Sequence, residues 1–134
     1  MKTKIDISKE INYEGYATRV IAVDEKLDIK AGDEYKFFKK AESWQYPDQW
    51  AKSFMPELGT DDRYVYVFTC DKLKGHKVNY DNEEECEILD CIDMEDECEL
   101  VVNEDTQNLR VVSIYSDEDA KEIGYYEVKL EVVE

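Results

Sequence analysis

Between Asn82 and Asp105 the chain reads NEEECEILDCIDMEDECELVVNED, with twelve carboxylates and no Lys, Arg or His. Burying an unpaired carboxylate costs several kcal/mol. The segment is therefore confined to a surface, with only its apolar residues free to turn inward. Strands over Cys86–Met94 and Cys98–Val102, joined by Glu95-Asp96-Glu97, satisfy this. Cys86, Ile88, Ile92, Met94, Cys98, Leu100 and Val102 then point inward, and Asp90 is the misfit. The acids Glu85, Glu87, Asp93, Glu95, Glu97 and Glu99 are left outside, framing an outward apolar stripe of Leu89, Cys91 and Val101. A helix over Glu83–Met94 would spread Cys86, Ile88, Leu89, Cys91 and Ile92 most of the way around its axis. The hairpin is the expected structure.

Such a hairpin sets Asp93 opposite Glu99, and like charges facing each other on a sheet cost up to about 1 kcal/mol per pair. Selection for stability alone would interleave lysines. The acids are accordingly expected to meet a basic protein surface, with Leu89 and Val101 at the centre of the contact. Outward residues on a strand repeat every ~6.8 Å, giving ordered rows of charge. In physical type, without a shared residue motif, this resembles the DNA-mimic inhibitors that viruses direct at host nucleases and defence complexes. The expected function is a non-enzymatic acidic inhibitor of anti-restriction or anti-CRISPR type. One alternative is an immunity protein against a cognate toxin. Another is a structural or regulatory protein whose acidic face only aids solubility.

The charge is unevenly placed. From Met1 to Met55 ten basic residues balance ten acidic ones, whereas from Pro56 to Glu134 seven face 24. The whole net charge of −17 lies in the second part, which makes the molecule electrically polar. A hydrophobic content of 43% with ten tyrosines is too high for a disordered chain. At 134 residues the chain is expected to form one domain over 1–134. No apolar run is long enough for a membrane helix, and MKTKIDISKE has no apolar leader core, so a cytoplasmic location is expected.

Strand signals dominate the pattern. YATRVIAV (Tyr16–Val23), RYVYVFTC (Arg63–Cys70) and LRVVSIY (Leu109–Tyr115) are apolar on both faces. YYEVKLEVV (Tyr125–Val133) alternates, with Tyr126, Val128, Leu130 and Val132 inward. LDIKAGDEYKFF (Leu27–Phe38) reads as strand, turn at Gly32, strand. Over that dozen residues it resembles the hairpin of swapped-hairpin transcription factors. The basic residues that family places before the hairpin are missing, so no function comes with the likeness. Short helices are expected near Pro47–Met55, with Trp50 and Phe54 at i, i+4, and over Ser116–Gly124, capped by Ser116 and stopped by Gly124. The fold class is α+β: a mainly antiparallel sheet of about seven strands with one or two short helices.

Motifs for catalysis are scarce. His76 is the only histidine and, in KLKGHKV, reads as a residue beside a turn. There is no G-x-S-x-G, P-loop or G-x-G-x-x-G. Cys70, Cys86, Cys91 and Cys98 with His76 could make a zinc set, but none of the cysteines forms the C-x2-C knuckle usual for structural zinc. DCIDMEDECELV lacks the glycine of a calcium loop. No enzyme activity, metal or cofactor is expected, and the net charge disfavours direct nucleic-acid binding. Two basic islands stand out against this background: Lys36, Lys39 and Lys40, and Lys72, Lys74, His76 and Lys77.

Overall fold

Two long strands form the spine: β1 (Tyr13–Val23) and β3 (Tyr64–Lys77). Both are rich in β-branched and aromatic residues, which suit a pleated, two-sided packing environment. They pair antiparallel from Tyr13↔Gly75 to Val23↔Tyr64. The computed structural model describes residues 3–38, 40–45, 64–79, 81–88 and 99–133, except for the side chain of Glu99. Among these residues the remaining strands are β2 (Ala41–Gln45), β4 (Glu99–Asn103), β5 (Asn108–Ile114) and β6 (Tyr126–Val133).

The sheet order is β1-β2-β4-β3-β6-β5, with β1 also paired to β3. The pairings β1–β2, β2–β4, β4–β3 and β3–β1 therefore close a ring. From that ring β6 extends parallel to β3, and β5 runs antiparallel to β6. One parallel pair aside, the sheet is antiparallel, and the α+β class is the observed one.

The main core fills the inner side with Trp44, Tyr66, Phe68, Leu73, Leu100, Leu109, Val128 and Leu130, all 2% exposed or less. Each such large apolar side chain contributes about 1.5–3 kcal/mol by leaving water. A smaller core of Ile7, Ala41, Val78 and Val101, flanked by Ile88, lies elsewhere. It receives Ile7 from α1 (Lys4–Ser8), a one-turn helix set by a reciprocal Thr3–Asp6 capping box. Helix α3 (Asp117–Ile123) begins at Ser116, whose Oγ accepts the Asp119 amide, and stops at Gly124 with φ +105°.

Several expectations need correcting. The hairpin strand over Cys86–Met94 is replaced, from Glu83 to Ile88, by helix α2. Asn82 Oδ1 accepts the Glu85 amide, and Glu83, Glu84 and Glu85 occupy the first turn, where the helix dipole favours carboxylates. Cap and dipole outweigh the strand-like alternation. In Leu27–Phe38 the turn at Gly32 is present with φ +94°, but its two arms do not pair with each other. The second arm instead lies along β5, exchanging Gly32 N–H to Val111 O, Val111 N–H to Asp33 O and Tyr35 N–H to Leu109 O. The helix expected near Pro47–Met55 lies outside the described residues, and six strands are described where about seven were expected.

Candidate functional site

The register of β1 on β3 slips once: two steps from Gly15 to Ala17 match three from Leu73 to Cys70. An extra residue of this kind inverts the alternation. Before it Tyr66, Phe68 and Cys70 face the main core, and after it Leu73 does. Lys72, Lys74 and His76 consequently share the opposite side of β3. Lys72 and Lys74 are exposed and, with Lys129 from β6, line a groove of ≈ 540 Å³. Glu14, Asp71 and Glu131 are also on its wall, Glu131 being paired to Arg110. Gln107 anchors the groove, its Oε1 accepting the Lys74 amide and its Nε2 donating to the Lys74 carbonyl, both at 2.8 Å.

At the end of this row His76 is 8% exposed, inside β3 and not on a turn. Gly75 was misread as a turn residue. It is there because β4 passes so close that an added Cβ would lie 2.8 Å from Leu100 Cγ and 3.0 Å from the Val101 carbonyl. His76 Nδ1 is 2.7 Å from the Glu10 carbonyl oxygen and Nε2 is 2.5 Å from Glu85 Oε1. Glu85 Oε2 accepts the Asn79 amide at 2.7 Å. Loop, strand and helix thus meet at one imidazole–carboxylate pair, a unit able to hold or pass a proton. Glu87, on the same short helix, is exposed.

A second buried carboxylate, Glu42, sits in β2 at 1% exposure. It accepts from Tyr35 Oη at 2.9 Å, the Phe38 amide at 2.7 Å and Trp44 Nε1 at 3.2 Å. Arg19 Nε stands 4.0 Å away, and Arg19 Nη1 donates to the Ser43 carbonyl at 2.6 Å. Burial, and then the Glu42 charge, push the Tyr35 phenol far above its ordinary range. With its oxygens occupied and no exposure, Glu42 organises the core and offers nothing to a ligand. Tyr35 also lines a second groove of ≈ 470 Å³ with Leu27, Ile29, Lys30, Phe38 and Val111.

The residues singled out from the sequence are scattered by the structure. Glu85 is turned inward onto His76, while Glu87 is exposed. Val101, expected at the centre of an outward stripe, is fully buried because the small core with Ile7 of α1 covers that side of β4. Glu99 pairs with Gln45 through its backbone. Leu89, Cys91, Asp93, Glu95, Glu97 and Cys98 lie outside the described residues. Of the conceivable zinc ligands, Cys70 is in the main core, where burial pushes its thiol up to about 11. Cys86 is on α2 with Sγ 3.7 Å from the Asn79 carbonyl. Among the described residues no three metal-ligating side chains gather, and no helix is long and apolar enough to cross a membrane. Two signals for the His76–Glu85 pair were present in the sequence. Asn82 followed by Glu85 is a capping pattern, and Lys72-Leu73-Lys74 continues the strand toward His76.

No family model and no curated protein matches this sequence. Among solved structures it is similar to Vis toxin, an ADP-ribosyltransferase from Vibrio splendidus. That likeness has a TM-score of 0.55 and 17% identity over 91% of this chain and 49% of the toxin chain. The same enzyme in complex with the M6 inhibitor gives a TM-score of 0.55 and 16% identity, covering 91% and 50%. This chain therefore spans about half the length of those proteins. The likeness is to an enzyme fold. It overturns the expectation of a non-enzymatic DNA-mimic-like inhibitor, and nothing in these comparisons links the chain to anti-CRISPR, anti-restriction or viral proteins. What they establish for this chain is its fold, which is similar to that of about half of the Vis toxin chain.

Proposed function

We propose that the chain binds an ADP-ribosyl donor such as NAD and cleaves its ribose–nicotinamide bond, releasing nicotinamide and passing the ADP-ribose to a protein nucleophile or to water. The observation that carries this reading is the likeness to an ADP-ribosyltransferase over 91% of the chain. The chain's own residues supply matching chemistry. Breaking a glycosidic bond builds positive charge on the ribose, which carboxylates stabilise, and such reactions commonly use two of them. Helix α2 offers Glu85, oriented by His76 and the Asn79 amide, and Glu87, open to solvent. The donor's phosphates need cations, the more so on a chain with net charge −17. Lys72, Lys74 and Lys129 provide them along the ≈ 540 Å³ groove.

The test is incubation with NAD labelled in its adenylate phosphate. Label should appear on protein or as free ADP-ribose. A Lys72→Glu/Lys74→Glu double variant should lower the yield at least ~10-fold, because two favourable charges become repulsive. Binding should weaken as salt rises. Absence of both binding and turnover at millimolar donor would refute the reading.

A further inference from the structure

We propose that Arg110 is a positioning residue: by holding Glu131 away from Lys129 it keeps the lysine groove open as a subsite for a nucleoside diphosphate. The ADP-ribosyl reading supplies only the choice of ADP as that ligand. The chain carries 34 acidic and 17 basic residues. Yet among the described residues none of the ammonium groups of Lys72, Lys74 and Lys129 is ion-paired. With two carboxylates for every cation, three unpaired lysines in one groove need a physical cause.

At Lys129 the sheet supplies it. Side chains on a strand return to the same face every second residue, ~6.8 Å apart. Along β6 the same-face neighbours of Lys129 are Glu127 and Glu131, and both are committed elsewhere. Tyr115 Oη donates to Glu127 Oε2 at 2.6 Å. Arg110, directly opposite Glu131 on β5, donates to Glu131 Oε1 from Nε at 2.8 Å and also from Nη2. Across the strands the residues in register with Lys129 are Thr69 of β3 and Ser113 of β5, neither of them acidic. Glu14 stands opposite Lys74 and Asp71 precedes Lys72, but neither makes an ion pair with them. Arg110 and the three lysines thus outnumber Glu14, Asp71 and Glu131 around the groove. Loss of Arg110 frees Glu131 to reach Lys129 and sets a bare carboxylate against an incoming phosphate.

The rest of the groove sets the class of ligand. Val112 and Val133 line it at 42% and 38% exposure. The β5–β6 register slips between Val111 and Ser113, so Val112 has no β6 residue opposite it. The neutral polar side chains of the wall are already engaged. Gln107 Nε2 donates to the Lys74 carbonyl and to Thr106 Oγ1, and Thr106 Oγ1 donates to the Asn103 carbonyl. The groove therefore offers ammonium charge from β3 and β6, and apolar surface from β5 and the end of β6. A nucleoside diphosphate carries the complementary pair, anionic phosphates and a flat base. Bare pyrophosphate matches only the charge.

Calorimetric titration of the full chain tests this without requiring turnover. Wild type should bind ADP at least ~10-fold more tightly than inorganic pyrophosphate, because the base covers the valines. Arg110→Met keeps the aliphatic length and removes the charge. It should weaken ADP binding ~5-fold or more, but less than ~2-fold when Glu131→Gln is also present, because Arg110 acts through Glu131. Near-ultraviolet dichroism verifies folding, and Arg110→Gln replaces Arg110→Met if the latter does not fold. An equal loss in both backgrounds, or no loss in either, would overturn the positioning role. Absence of ADP binding at millimolar concentration, or pyrophosphate bound as tightly as ADP, would overturn the subsite. ADP bound in the expected pattern by a chain that leaves NAD intact would uphold the subsite and refute only the ADP-ribosyl reading.

Discussion

Among the described residues, the carboxylates of Glu42 and Glu85 are both withdrawn from solvent, and they are held in different ways. Glu42 in the main core is met by a phenol, an indole N–H and a backbone amide, with a guanidinium at 4.0 Å. None of these partners changes charge near neutral pH, so the arrangement is permanent. Glu85 is met by the Asn79 backbone amide and by the imidazole of His76. The difference separates a carboxylate held by three donors inside the main core from one shared between a strand and a short helix. Glu42 is sealed in the core at 1% exposure, whereas the Glu85 side chain is 13% exposed, on the same short helix as the exposed Glu87.

The largest expected effect comes from removing the permanent node. Glu42→Ala leaves the half-buried Arg19 charge without its carboxylate and strips the acceptor from Tyr35, Trp44 and Phe38. Breaking a buried pair this way costs about 3–5 kcal/mol, to be read from urea unfolding. A loss below about 1 kcal/mol would show that the node is not structural. Next is Gly75→Ala, which forces β4 off β3 by placing a methyl against Leu100 and the Val101 carbonyl. Overpacking of this kind costs about 1–3 kcal/mol. It should disturb the His76 and Glu85 signals while leaving the Trp44 indole signal in place. Movement of both alike would merge the two regions into one unit.

Glu85→Gln should cost less, about 1 kcal/mol at neutral pH, since Gln can still accept the Asn79 amide. Urea unfolding should report a loss smaller than that of Glu42→Ala. An exposed carboxylate, Asp117, gives the smallest effect and completes the comparison. Lys26 and then Tyr126 hydrogen-bond to it and hold it below the usual carboxylate range. A lowered folded-state value gives stability that is present above the unfolded value and is lost as pH falls through the folded one. Asp117→Asn should therefore remove a slight acid-side decline in melting temperature. It should leave neutral stability nearly unchanged, because both partners are solvent-screened.

The sequence made some of this visible and hid the rest for physical reasons. The spine and its parallel neighbour were legible because Tyr64–Cys70 and Tyr126–Val132 carry strong β patterns. Helix α3 was legible because Ser116 and Gly124 bracket it. β2 escaped notice: its Glu42 looks like a surface residue until Tyr35 and Phe38 arrive from the preceding segment and, with Trp44, satisfy it. Val101 was placed on the wrong side because α1, one turn long, gives almost no periodic signal yet covers that face. His76 was read as a turn residue because a glycine that permits close strand approach looks the same in sequence as one that permits a turn. At Cys86–Ile88 an alternating apolar pattern competed with a capping pattern, and the cap prevailed.

In the proposed function Glu85 of α2 serves the reaction, while Glu42 only supports the core. The most direct measurement of this division is NAD turnover by the wild-type chain and by Glu85→Gln, with folding of both verified by near-ultraviolet dichroism. The account predicts turnover in the wild type and at least a ~100-fold loss in Glu85→Gln at unchanged fold, in line with removal of one transition-state charge contact. Equal turnover in a correctly folded Glu85→Gln, or no turnover by the wild-type chain, would contradict it.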